Sequence, residues 1–259
     1  MIKTKSTFWI IITIMLPQIQ LCNIVIPTYT LLIAIAFFIG SIVASKISNR
    51  FLVDESTSFI ALCVAEIGVI IGGKVLYLLV NFKHLSQILQ NQGLFALCYK
   101  TGFVFYGALI GAIFAIYVFC KIHKSSFFNT LSLLITITPL IQAIGRIGCF
   151  CAGCCYGIPW DGFGAIFIAG EYRFPIQLLS SFLDGILFFV LLLISASSKI
   201  RRFEIPIYFI LYAIIRIICE QFRGDIQRGF LGHLSISTII SITLFLSGLY
   251  ILVTICKKT

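Results

Sequence analysis

The chain has 259 residues, of which 60% are hydrophobic and only 11% are charged, and its formal net charge is +10. A soluble domain is typically about 45–50% apolar and roughly 25% charged, so this composition excludes a water-soluble globule and a disordered chain. It indicates a polytopic membrane protein, because a bilayer span needs about 20 mostly apolar residues. Nucleic-acid binding is not expected, since no basic stripe with interleaved aromatic residues stands clear of the apolar runs.

The first apolar stretch, 7–22, follows Lys3 and Lys5 and resembles a signal peptide. Its end lacks the small residues of a cleavage site, and the next apolar run begins with no room for a loop. We therefore interpret 1–23 as an interfacial arm that precedes a membrane domain at 24–259.

Seven apolar runs predict an all-α membrane protein with about seven transmembrane helices, at 24–44, 59–80, 103–120, 127–143, 176–195, 205–222 and 235–255. The cations of alternate connections and of the tail fall on one side: Lys46, Arg50, Lys121, Lys124, Lys199, Arg201, Arg202, Lys257 and Lys258. The positive-inside rule makes that side cytoplasmic, which places the C-terminus inside the cell and the N-terminus outside. No internal repeat is visible, which disfavours a transporter built from two halves.

The longest connection on the outer side, 145–175, predicts a small outer-face domain. Four arginines lie on this side against the positive-inside rule, so a function is expected to require them: Arg146, Arg173, Arg223 and Arg228. Arg146 follows the fourth run, close to the depth where a cation in a membrane is costly, and it is therefore a functional candidate. Arg146 and Arg223, on separate helices, would form a clamp for a phosphodiester, because each guanidinium offers a planar fork of donors.

The spacing of Arg216, Glu220 and Arg223 puts all three on one helical face. A ladder of ion pairs along one helix explains Arg216 and Glu220 without any function. In the functional interpretation, Glu220 holds Arg223 or Arg216 in place.

Gly102, Gly107 and Gly111 surround Tyr106 in the third run. Gly107 and Gly111 form a pair of small residues that favours close helix packing. That explanation does not cover Tyr106, whose hydroxyl needs a partner if it is buried.

Four of the ten cysteines fall within seven residues: Cys149, Cys151, Cys154 and Cys155. A zinc or cluster site is disfavoured, because the usual two separated pairs are missing and no histidine is near. A disulfide between such near neighbours would be strained, and thiol redox chemistry through Cys154 and Cys155 is a minor alternative. We expect these side chains to fill a tight loop, since the four glycines of 145–157 predict a tight backbone rather than a continuing helix.

In order and spacing, these residues resemble the prolipoprotein diacylglyceryl transferase family of bacterial membrane enzymes. The resemblance is carried by Tyr29, Gly-Gly-Lys at 72–74, Tyr-Gly-Ala-Leu-Ile-Gly at 106–111, Gly-Arg-Ile-Gly-Cys-Phe at 145–150, Pro175, Gln177, Arg216, Glu220 and Arg223. It implies transfer of the diacylglyceryl group of phosphatidylglycerol to the lipobox cysteine of a preprolipoprotein, at the bacterial inner membrane. No metal, soluble cofactor or nucleic acid is expected; the implied partners are phosphatidylglycerol, the preprolipoprotein signal peptide and membrane lipids.

The resemblance also implies roles for individual residues. Arg146, Arg223 and Tyr106 are the expected catalytic residues, with the arginines stabilising phosphate and Tyr106 handling the thiol proton. Substrate binding is expected from Arg146, Arg223, Tyr29, Glu220, Gly145, Gly157 and Gln177.

The chain also departs from the family pattern. Tyr106 stands for a histidine, Cys149 for an asparagine, Cys154 for an acidic residue and Ser132 for an aspartate. A tyrosine of pKa about 10 is a poor base at neutral pH. Two alternatives therefore stay open: a phospholipid-dependent transferase of this family with another acceptor, and a non-enzymatic transporter of lipids or small molecules.

Overall fold

The computed structural model describes residues 16–21, 24–80, 104–168, 170–224, 230–231 and 234–257. Within these ranges the helices are α1 (Thr28–Ile47), α2 (Glu55–Val80), α3 (Phe105–Ile122), α4 (Phe127–Cys151), α5 (Ile176–Ser195), α6 (Glu204–Gln221) and α7 (Ile236–Lys257). Three antiparallel hairpins pair β1 (Gln18–Leu21) with β2 (Ile24–Pro27), β3 (Ile166–Ile168) with β4 (Glu171–Arg173), and β5 (Phe230–Leu231) with β6 (Leu234–Ser235). The chain is therefore mostly helical, as the sequence predicts.

Five stretches of the described chain are long and apolar enough to cross a membrane: Thr28–Phe51, Glu55–Val80, Phe127–Cys151, Ile176–Ser195 and Ile236–Lys257. Helix α3 contributes a shorter apolar helix, Gly107–Ile122. Helix α6 carries three charged side chains, Glu204, Arg216 and Glu220, and both of its glutamates are buried. These features identify a multi-pass membrane protein.

The predicted start of the first span at residue 24 is wrong. Residues Ile24–Pro27 form strand β2, and α1 begins only at Thr28. The hairpin register pairs Gln18 with Pro27, and the backbone N–H of Thr28 donates to the carbonyl of Pro17 over 3.1 Å. A strand can be as apolar as a span, so composition alone does not separate the two. Of the predicted arm, residues 1–15, 22 and 23 lie outside the described residues.

The predicted end of the fourth span at residue 143 is also wrong, because α4 continues through Cys151. Its glycines serve packing against α1 rather than a turn. A Cβ atom added to Gly145 would approach Cδ1 of Ile33 to 3.2 Å, and one added to Gly148 would approach Cδ2 of Tyr29 to 3.2 Å. The chain turns only after the helix, at Gly153, whose φ is +68°.

The chain divides into two compact units, Met1–Gly40 with Ile135–Thr259, and Ser41–Leu134. In the second unit, α2 and α3 meet at Gly68, Gly72, Gly107 and Gly111, where a Cβ atom on any one would collide with the backbone of the partner helix. The predicted packing role of Gly107 and Gly111 is confirmed.

In the first unit, a buried hydrogen bond ties α4 to α6. The hydroxyl of Thr136 donates to Oε1 of Glu204 over 2.6 Å, and both residues are fully buried. Leu187 and Leu191 of α5 and Ala213 of α6 are among the buried apolar side chains of this unit.

Candidate functional site

A small polar cavity of about 20 Å³ lies between α4, α5 and α6, in the first unit. This volume suits about one water molecule. The lining residues, most of them polar, are Gln142, Arg146, Ser180, Asp184, Tyr212, Ile215, Arg216 and Cys219. Such a polar centre among apolar helices is energetically costly and is therefore a candidate functional site.

Arg146 reaches this cavity from α4, as one of the residues that the sequence predicts. Asp184 enters from α5 and is only 5% exposed. The charges of Arg146 and Arg216 both act on its carboxyl group. Buried charges of opposite sign compensate one another's loss of hydration, so these three side chains form one electrostatic unit.

Glu220 is buried and forms a salt bridge with Arg216, with Oε2 and Nη2 3.9 Å apart. The Nε of Arg216 donates to the hydroxyl of Ser237 in α7 over 2.7 Å. The predicted contact of Glu220 with Arg216 is confirmed. Arg216 is thus held from two sides, with its guanidinium at the cavity.

Arg223 lies just after α6, where residues 156–158 pair with residues 222–224; we call this pairing the clip. Gly157 and Arg223 form an antiparallel bridge, and backbone bonds of 3.0 Å run from Ile158 N to Phe222 O and from Gly224 N to Tyr156 O. A Cβ atom on Gly157 would collide with the carbonyl oxygens of Phe174 and Phe222. Only glycine allows this approach, so Gly157 fixes the backbone that carries Arg223.

Arg173, another of the four outer arginines, supports the clip directly. Its Nη1 donates to the carbonyl of Gly157 over 3.0 Å, and its guanidinium lies 4.3 Å from the ring centroid of Tyr156. It also pairs with Glu171. These contacts give Arg173 a structural explanation, while Arg228 lies outside the described residues.

Gln177 holds the cysteine-rich turn that follows α4. Its side chain is 1% exposed, and its Nε2 donates to the carbonyl of Cys154 over 2.8 Å. The thiol groups of Cys149, Cys154 and Cys155 all lie within 4.8 Å of one another. The turn is therefore a defined cluster of thiols rather than a loosely filled loop.

The Cys155 thiol lies under the influence of both predicted phosphate-binding arginines. Hydrogen bonds from the thiols of Cys149 and Cys154 lower the pKa of Cys155, and the charges of Arg146 and Arg223 lower it further. The charges of Arg146 and Arg223 therefore both reach the cysteine cluster.

Tyr29 stands in the first turn of α1 and is 42% exposed. Its hydroxyl is close enough to Arg146 and to the cysteine cluster for electrostatic interaction. The backbone of Tyr106 belongs to the first turn of α3, and its side chain lies outside what the structure describes.

Sequence reasoning missed several residues of the cavity, namely Gln142, Ser180, Asp184, Tyr212 and Cys219. Asp184 is the sole charged residue of the run at 176–195. An isolated carboxylate in an otherwise uncharged span is itself a signal of function. The sequence therefore contains a signal for Asp184. It contains no such signal for the four other side chains, which only the packing of the helices brings to the cavity.

Comparison with known proteins adds a second line of support. A family model described as prolipoprotein diacylglyceryl transferase matches residues 17–254. The chain is 34% identical over 242 residues to the phosphatidylglycerol–prolipoprotein diacylglyceryl transferase of Clostridium tetani, which covers 90% of this chain and 94% of that protein. The proteins of the same name from Rickettsia typhi and Campylobacter lari are 32% and 36% identical, over 90% and 72% of this chain and 93% and 72% of their own lengths.

Proposed function

The chain belongs to the prolipoprotein diacylglyceryl transferase family, and we propose that it transfers the diacylglyceryl group of phosphatidylglycerol to the lipobox cysteine thiol of a preprolipoprotein. One observation carries the proposal: Arg146 lies in a polar cavity among apolar helices, with Asp184 and Arg216 beside it. That arrangement supports the guanidinium of Arg146 as a fixed donor to an anionic headgroup.

The reaction joins sulfur to carbon. The acceptor thiol loses its proton, because the thiolate is the nucleophile. Its sulfur attacks the glyceryl carbon that bears the phosphate ester, and the carbon–oxygen bond breaks as glycerol phosphate leaves with the electron pair. Negative charge grows on the leaving phosphate, so fixed cations near it lower the barrier.

Arg146 and Arg223 are the groups that would stabilise this charge. A cavity of about 20 Å³ is too small for a phosphodiester. The phosphate therefore binds toward the cysteine cluster, where the charges of both arginines act. Exclusion of water from such a site strengthens each guanidinium–phosphate contact.

The remaining predicted residues take supporting roles. Tyr29 lines the approach to the cluster, and Tyr106 is the candidate for the thiol proton. Glu220 positions Arg216 through their salt bridge. The hydrogen bond from Gln177 keeps the cysteine turn in place, while Gly145 and Gly157 permit the backbone contacts around the site.

We further propose that all seven helices cross the inner membrane and that the part of 145–175 that follows α4 forms an outer-face domain. The cations near the carboxyl ends of α1, α3, α5 and α7 support a cytoplasmic C-terminus and an N-terminus outside. This orientation puts the cysteine turn and Arg223 on the side where secreted preprolipoproteins emerge.

The test uses the purified protein, phosphatidylglycerol and a lipobox peptide, followed by mass spectrometry of the peptide. We expect a diacylglyceryl mass gain that falls by about 10²-fold or more in Arg146→Ala, since loss of one fixed donor to the developing charge costs that much. Arg146→Lys keeps the positive charge but loses the planar fork of donors, so its transfer activity should lie between those of the wild type and Arg146→Ala. Arg202→Ala, on an exposed side chain, is the matched control.

Two results would redirect the assignment. Full transfer by Arg146→Ala would remove that arginine from the mechanism. If the wild-type protein binds phosphatidylglycerol through Arg146 but leaves the peptide unchanged, the chain is a transferase of this family with another acceptor.

A further inference from the structure

The cysteine turn after α4 has a geometry that the transferase roles above leave unused. Cys149 lies in the last turn of α4 and is 8% exposed, Cys155 is half-buried, and Cys154 is exposed. Their three thiol groups lie within 4.8 Å of one another. Three thiols from a seven-residue stretch thus converge on one point that has an open side at Cys154.

The backbone of this turn is fixed independently of the thiols. The N–H of Cys154 donates to the carbonyl of Cys149 over 3.1 Å, and Gln177 donates to the carbonyl of Cys154 over 2.8 Å. Cys155 adopts a left-handed φ of +55°, a conformation that a residue with a side chain keeps only where its surroundings impose it. The arrangement of the thiols is therefore built into the fold.

Three converging thiols match the ligand chemistry of a thiophilic divalent cation. A Zn–S bond is about 2.3 Å long, so sulfur atoms in tetrahedral coordination lie about 3.8 Å apart. From separations of at most 4.8 Å, the thiols would need to close by no more than about 1 Å. Three thiolates and one divalent cation carry a net charge of −1, which Arg146 and Arg223, whose charges reach this cluster, would offset.

We propose that Cys149, Cys154 and Cys155 bind one Zn²⁺-like cation, and that its open fourth position binds the thiol of the acceptor. This role for the site rests on the proposed function. It replaces the sequence-based expectation that the cysteines merely fill a loop. That expectation rested on the spacing of the cysteines along the chain, which does not show that the thiols converge.

The cation supplies the deprotonation for which Tyr106 is poorly suited. On coordination the acceptor thiol gives its proton to water, and its sulfur stays bound as a thiolate. That sulfur then forms the bond to the glyceryl carbon, and the carbon–oxygen electron pair leaves with glycerol phosphate. The thioether product is a weak ligand and dissociates, so the cation is unchanged by the reaction and no oxidant or reductant is consumed.

Metal binding is tested first, without any activity measurement. The full-length protein in detergent, reduced with a phosphine, is titrated with Cd²⁺, whose thiolate complexes absorb in the near ultraviolet. We expect one equivalent to bind, with affinity lowered roughly tenfold or more in Cys154→Ser and Cys155→Ser. Cys256→Ser, which alters an exposed cysteine of α7, should match the wild type, and Zn²⁺ should displace Cd²⁺.

Absence of stoichiometric binding, or unchanged binding in both Cys154→Ser and Cys155→Ser, would overturn the site whether or not the protein is a transferase. The fourth position is tested by adding a lipobox peptide to the Cd²⁺-loaded protein. We expect the charge-transfer band to grow with the cysteine peptide and to stay constant with its Cys→Ser analogue. Equal responses to the two peptides would overturn the role in binding the acceptor. The Arg146→Ala comparison tests the transferase assignment separately.

Discussion

At the scale of single residues, the site is a balance of charges. Arg146 and Arg216 are compensated by Asp184 and by Glu220, which forms the salt bridge with Arg216. These four formal charges cancel, so the polar centre among the helices is electrically balanced.

Asp184→Asn tests this balance. The change removes the carboxylate on which the charges of Arg146 and Arg216 act, and removing the group that compensates a buried charge costs about 3–5 kcal/mol. We expect a lower melting temperature in detergent and, in the protein that stays folded, a raised KM for phosphatidylglycerol because Arg146 loses its position. Asp161→Asn, on an exposed side chain, should change neither quantity. Wild-type stability and KM in Asp184→Asn would contradict the balance.

At the scale of helices, α2 and α3 are joined by their glycines. The backbone of each helix occupies the space where a Cβ atom of the other would lie, at Gly68 against Gly111 and at Gly72 against Gly107. Such approach maximises van der Waals contact where no hydrophobic effect drives helices together. The contact therefore depends on the absence of side chains at all four positions.

Gly72→Ala should separate these helices, since its Cβ would meet the carbonyl of Gly107 and lie 2.8 Å from the Cα of Gly111. Overpacking of this kind costs about 1–3 kcal/mol. Gly185→Ala is the control, because its Cβ meets nothing within 4 Å and removing a helical glycine gains roughly 0.5–1 kcal/mol. In detergent, we therefore expect the melting temperature to fall in Gly72→Ala and to rise in Gly185→Ala. A shift of the same sign in both variants would contradict the packing.

The sequence predicts these helices better than it predicts their ends. Each of the seven apolar runs contains a helix, because apolar length is a strong local signal. The span boundaries predicted at residues 24 and 143 are wrong because the local sequence is ambiguous there. An apolar strand is as hydrophobic as a membrane span, and glycines that allow close packing against α1 look like the glycines of a turn. Arg146 and Glu220 were found from motifs and spacing. Ser180 and Tyr212 could not be predicted from the sequence, because only the packing of the helices brings them to the cavity.

At the scale of the whole molecule, orientation in the membrane decides what the site can meet. Cys154 follows α4 and Cys256 lies in the last turn of α7, and both are exposed. With the cytoplasmic C-terminus we propose, these two thiols lie on opposite sides of the membrane. Lys257, beside Cys256, belongs to the cations on which that orientation rests.

A membrane-impermeant maleimide distinguishes the two orientations. In intact spheroplasts we expect labelling of Cys154 from outside, with Cys256 labelled only after permeabilisation, as mapped by peptide mass spectrometry. In Cys256→Ser the labelled peptide that contains residue 256 should be absent, which identifies that peptide as the one on the cytoplasmic side. Labelling of Cys256 in intact spheroplasts would reverse the topology and place the site on the wrong side for secreted acceptors.

The clip has a consequence for how the protein is made. Its two stretches, 156–158 and 222–224, are separated along the chain by the whole of α5 and α6. During synthesis, residues 156–158 leave the ribosome long before residues 222–224 have been made. The backbone pairing of Gly157 with Arg223 therefore forms only after α6 has been inserted. Closing so long a loop is entropically slow and depends on the helices between being in place. Arg223 therefore joins the site only after α6 has been inserted. A nascent chain stalled before α6 holds only Arg146 of the two arginines that we propose to bind the phosphate.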